Sequence, residues 1–142
     1  MAITSTADLA VRLRLAVTRT ARRLRQEAGG DLSPSLTAAL ATIERHGPLT
    51  PSELASRERI QRPTATRIVD KLADAGLVAR TADPADRRSC QVTATADGEQ
   101  LITALRTRKD AFLAHRLEAL GDDDRHTLAR AAQILEDLLE AE

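Results

Sequence analysis

Up to Gly76 the apolar residues of this 142-residue chain recur at the three-and-four spacing of helices, and directly after it they do not. Leu77-Val78-Ala79-Arg80-Thr81 and Ser89-Cys90-Gln91-Val92-Thr93 are short β-compatible segments, and Asp83-Pro84-Ala85-Asp86 between them is strong turn chemistry. The break predicts one β-hairpin with Asp86-Arg87-Arg88 at its tip. Everything around that hairpin reads as helix.

Residues 7–28 carry Leu9, Leu13, Val17 and Leu24, with Ala10, Ala16 and Ala21, on one broad apolar face that ends at Gly29-Gly30. Ser33-Pro34 opens a second helix, Ser33 as cap and Pro34 at the first helical position, running through Leu36, Leu40 and Ile43 to His46-Gly47-Pro48. Thr50-Pro51-Ser52-Glu53 is a capping box and starts a short third helix. Arg62-Pro63 marks a fourth over 62–75, with Ile68, Val69, Leu72 and Ala75 inward and Arg62 a poor cap. After the hairpin a long helix covers about 96–119, with Leu101, Leu105, Phe112, Leu113 and Leu117. Gly121 and Asp122-Asp123-Asp124 then start the last helix, striped with Leu128, Ala131, Leu135 and Leu138.

Composition removes several classes of function. A lone cysteine, Cys90, excludes a disulfide framework and a CxxC site, and His46, His115 and His126 are scattered, so no metal or cofactor is expected. No glycine-rich phosphate loop, nucleophile elbow or His–carboxylate–nucleophile set supports an enzyme. Phe112 is the only aromatic residue, which weakens any base-stacking platform. No apolar run is long enough for a membrane span, and the expected setting is cytoplasmic. Net charge is zero but unevenly placed: residues 1–27 carry six arginines against Asp8 and Glu27, a net +4, whereas residues 97–142 come to −5.

Residues 50–93 therefore read as two helices joined by a tight turn and followed by a hairpin: a winged helix-turn-helix. A helix fits the major groove of DNA, and an arginine on a thin hairpin can reach the narrower minor groove. With Ile68, Val69 and Leu72 inward, Gln61, Arg62, Thr64, Thr66 and Arg67 lie near the exposed start of helix 62–75, and Lys71, a turn beyond Arg67, suits a phosphate. Each arginine also has a plainer reading as a surface ion-pair partner, Arg67 with Asp70 in particular.

In order and spacing, Leu49-Thr50 with Leu54-Ala55, Thr64-x-Thr66-Arg67-Ile68-Val69 with Leu72, Gly76-Leu77-Val78 and Asp83-Pro84-x-Asp86-x-Arg88 resemble the core of the MarR family of bacterial transcriptional regulators. The resemblance extends over nearly the whole chain. It implies a mainly α fold with a small β-hairpin wing, a single domain over 1–142. Its winged helix-turn-helix part would be 33–95, flanked by N- and C-terminal dimerisation helices at 5–30 and 97–142. It further implies that helix 62–75 is the recognition helix and that Arg88, held by Asp86, enters the minor groove. The expected partners are double-stranded DNA with a palindromic operator, a second copy of the chain and a small-molecule effector. The sequence departs from the family pattern at Arg87, which adds a second arginine at the tip and leaves open which one enters the groove. It departs again at Pro63, and at Ala94-Thr95, where a leucine is usual and looser seating of the wing is expected.

The first and last helices carry apolar stripes that the winged helix does not use. Leu9, Leu13, Val17, Leu128, Leu135 and Leu138 are the expected dimer contacts, with the charge split setting orientation. Arg14, His115 and Arg116 are candidate anion partners. Two other readings compete: a helical interaction protein that has lost DNA binding, and a regulator responding to oxidants through Cys90 beside Arg87 and Arg88.

Overall fold

A computed structural model describes residues 5–141; residues 1–4 and 142, the ends of the expected single domain, lie outside it. In chain order the described elements are α1 (Thr6–Ala28), α2 (Pro34–His46), α3 (Pro51–Glu58), α4 (Arg62–Asp74), β1 (Val78–Ala82), β2 (Cys90–Ala94), α5 (Ala96–Glu118) and α6 (Asp122–Glu140). The chain divides into two compact units. One comprises residues 28–107; the other comprises the chain up to Glu27 together with that from Arg108 onward.

In the 28–107 unit the helix starts follow local chemistry. Ser33 accepts the Leu36 N–H at 3.2 Å with Pro34 in the first turn, and Thr50 accepts the Glu53 N–H at 3.1 Å. Among the described residues no bond from the Glu53 carboxylate completes the capping box. The start of α4 corrects the sequence reading: Gln61, not Arg62, is the cap, without a side-chain hydrogen bond, and Arg62 is the first helical residue.

β1 and β2 pair antiparallel from Val78↔Ala94 to Ala82↔Cys90, each strand one residue later than the segments read from sequence. Both shifts have a cause. The Leu77 N–H donates to the Leu72 carbonyl at 2.9 Å and so completes the C-terminal turn of α4, with Gly76 at φ +76°. Ser89 is likewise taken by the tip, its N–H donating to the Asp86 carbonyl and its own carbonyl accepting from Asp83.

Leu40, Ile43, Leu54, Val69, Leu72 and Val92 are the largest fully buried side chains, so helices α2 to α4 and the inward face of β2 share one core. A bridge between Leu49 and Val92, with N–H···O distances of 3.1 and 2.7 Å, ties the α2–α3 connection to the middle of β2. The Ala94-Thr95 junction is held by hydrogen bonds. The Thr95 hydroxyl donates to the Gly76 carbonyl at 2.7 Å and accepts the Gly98 N–H at 3.1 Å, while Ala94 lies half-buried against the core. Gly98 is obligatory here, since a Cβ would sit 2.1 Å from the Leu77 carbonyl oxygen.

The other unit contains α1, the end of α5 and α6. None of its described hydrophobic residues is fully buried. Leu9, Leu13 and Val17 of α1 and Leu128 and Leu138 of α6 are exposed, and so are Val11, Leu15, Ile134 and Leu139, which sequence reading did not single out. Val11 and Leu15 put apolar surface on a second side of α1, beyond the single face expected. Leu135 is half-buried.

Candidate nucleic-acid interface

Helix α4 is two-sided. Ala65, Ile68, Val69 and Leu72 are buried, while Gln61, Arg62, Thr66, Arg67 and Lys71 are exposed and Thr64 is half-buried. Ile68, Val69 and Leu72 are inward as expected, but Ala75 is not: it caps the helix after Asp74 and is exposed, and Ala65 takes an inward place instead. The Thr66 hydroxyl donates to the Arg62 carbonyl at 3.1 Å, which commits its proton and leaves its oxygen lone pairs outward.

Asp70 does not pair with Arg67. Its carboxylate is held by Arg80 on β1, an exposed ion pair linking α4 to the hairpin. No local sequence signal could have found Arg80, because its approach to Asp70 depends on where the strand lies beside the helix. Among the described residues no carboxylate lies within 4.0 Å of the cationic groups of Arg62, Arg67, Lys71, Arg87 or Arg88.

The hairpin tip is rigidified by its own aspartates. Asp83 accepts the Ala85 N–H and Asp86 accepts the Arg88 N–H, each at 2.9 Å, as Asx turns do. Asp86 thus holds Arg88 through its backbone, and both Arg87 and Arg88 are exposed. Cys90 begins β2 opposite Ala82 and is half-buried. Beside the helix, a cavity of about 540 Å³ opens between α2, the end of α3 and α4, with Leu36, Ile60 and Ile68 as apolar wall and Thr64, Arg67 and Lys71 as polar edge.

Away from this surface, Glu44 on α2 accepts from Arg106 on α5 at 2.9 Å, and that hydrogen bond, with the charges of Arg106 and Arg45, holds its carboxyl below the ordinary carboxylate range. Of the three candidate anion partners, Arg116 lines a recess together with Arg19, Thr20, Arg23 and Phe112. His115 is exposed and 4.0 Å from Glu118. Among the described residues no group of His, Cys, Asp and Glu could hold a metal ion, and no helix is long and apolar enough to cross a membrane.

What this arrangement can do chemically is limited to recognition: an outward helix start and a stiff hairpin tip, both with uncommitted guanidinium groups. The MarR family profile matches residues 32–90, spanning α2 to the start of β2. An uncharacterised HTH-type transcriptional regulator of Mycobacterium leprae, ML2140, is 39% identical over 137 residues, which is 96% of this chain and 96% of its own. The structure of a MarR family protein from Bacillus stearothermophilus superposes with a TM-score of 0.84 at 25% identity, covering 98% of this chain and 99% of that one. A mutant of Staphylococcus aureus MepR bound to an oligodeoxyribonucleotide shares the fold, with a TM-score of 0.69 at 19% identity over 92% of this chain and 97% of that one. The uncommitted cations on a helix-turn-helix and wing, together with these likenesses, place the chain in the MarR family: it is a transcriptional regulator and not an enzyme.

Proposed function

We propose that the protein is a cytoplasmic homodimer that binds an inverted-repeat operator in double-stranded DNA and represses transcription by occluding polymerase. The observation that carries this reading is the set of cations on α4 and the hairpin tip that no carboxylate of the described chain neutralises. Gln61, Arg62, Thr64, Thr66 and Arg67 are assigned to the major groove and its edges, Lys71 to phosphate, and Arg88, with Asp86 fixing its backbone and Arg87 beside it, to the minor groove. Pairing rests on a second observation: among the described residues, α1 and α6 expose large apolar side chains. A two-fold dimer presents two copies of α4, so half-sites should lie about one helical turn apart.

Fluorescence-anisotropy titration with the DNA flanking its own gene, across a salt series, tests the assignment. Affinity should exceed that for scrambled DNA by at least roughly a thousandfold. Lys71→Ala should lower the slope of log K against log salt, because each phosphate that a cation no longer neutralises changes it by about 0.9. Arg88→Ala should cost roughly tenfold or more in affinity. Equal affinity for operator and scrambled DNA would overturn the reading.

A further inference from the structure

Three arginines gather around the only phenylalanine of the chain, Phe112. The guanidinium carbons of Arg23 and Arg116 lie 5.5 and 5.1 Å from the Phe112 centroid, and Arg19 completes the rim of a cavity of about 340 Å³. The ring quadrupole holds the two nearer cations. Only Arg23 has a carboxylate, Glu27 at 2.8 Å; among the described residues Arg19 and Arg116 have none. Like charges gathered in this way repel unless an anion joins them.

The end of α6 has the opposite imbalance. Glu136, Asp137 and Glu140 are exposed, the last turn holds no basic residue, and among the described residues none of the three forms an ion pair. Asp137 accepts only the Gln133 amide at 3.0 Å. Acidic groups at a helix C-terminus also oppose the helix dipole, so this end calls for external cations. The same segment carries Leu138 and Leu139, 64% and 81% exposed, the most exposed large hydrophobic residues described. Its complement must offer apolar surface and positive charge together. Leu15, one turn before Arg19 on the same side of α1, puts an exposed apolar side chain beside the arginine recess.

Among the described residues no ion pair joins the two features within one chain, but a second copy can bring them together. We infer, resting on the homodimer reading, that the acidic end of α6 of one copy seats its carboxylates in the arginine recess around Phe112 of the other. The two-fold makes the contact reciprocal and sets the register in which the subunits pair.

Sedimentation equilibrium of the full chain at low and high salt tests this by charge exchange. Arg19→Glu with Arg116→Glu should weaken the dimer roughly tenfold at low salt, and Glu136→Lys with Asp137→Lys and Glu140→Lys should do the same. The variant carrying both sets should return to within about threefold of the parent, and the differences should shrink at high salt. That recovery also shows that the variants fold. A combined variant no tighter than its weaker parent, or reversals without effect on a dimer that Leu135→Glu still breaks, would overturn the contact while leaving the dimer standing. A parent chain that is monomeric would overturn both.

Discussion

All fully buried hydrophobic side chains among the described residues lie between Ala28 and Leu105, whereas all large hydrophobic residues that stand exposed lie on α1 or α6. The winged-helix unit closes its own core: Leu40, Leu54, Leu72 and Val92 reach near-zero exposure from four different elements. The helical unit has apolar faces of similar make-up and buries none of them completely. Helices draw most of their stability from such burial, so one unit is a finished fold and the other leaves its apolar faces unfinished. The difference teaches that hydrophobic periodicity identifies which residues seek cover but not which chain supplies it.

The largest expected effect tests the finished half. Leu72→Ala removes a fully buried side chain from α4 and should cost about 2–5 kcal/mol in urea unfolding. That loss should be the same at every protein concentration. A loss that scaled with concentration would mean that this core, too, depends on assembly.

Next comes the unfinished half. Leu128→Glu or Leu135→Glu should yield a monomer by light scattering and, with two-site binding gone, weaken operator affinity by roughly a hundredfold. Either variant behaving as a dimer of normal affinity would break the contrast between the units.

The smallest effect sharpens the picture of the winged-helix unit through Glu44. Arg106 depresses its folded pKa, so the pair adds stability above the ordinary carboxylate range and loses it as pH falls through the lowered folded value. Both side chains are partly solvated, at 26% and 39% exposure, so screening limits the gain. Glu44→Gln should cost about 0.5–1 kcal/mol near neutrality, with the difference vanishing in acid. A thermal-melt series from neutral to acidic pH reads this directly.

Much of the architecture was legible because its signals are local. Ser33-Pro34 and Thr50-Pro51 start helices within their own turns, Gly76 ends one, and Asp83 and Asp86 fold a tip whose partners are two residues away. Strand ends were legible only to one residue, because Leu77 and Ser89 are claimed by a helix end and a turn. For the candidate interface, the outward residues of α4 followed from periodicity. The partner of Asp70 did not: Arg80 sits ten positions away on a strand, and proximity in sequence pointed to Arg67.

By itself, the sequence determined the order of helices and hairpin, the inward Ile68, Val69 and Leu72 of α4 and the arginines of the tip, since these depend on spacing, caps and turn residues within a few positions. Only tertiary structure decided which charges are neutralised and which stay outward, that Gly98 must admit the Leu77 carbonyl, and that α1 and α6 remain uncovered. Those outcomes depend on distances between segments remote along the chain, and such distances exist only once the core has closed.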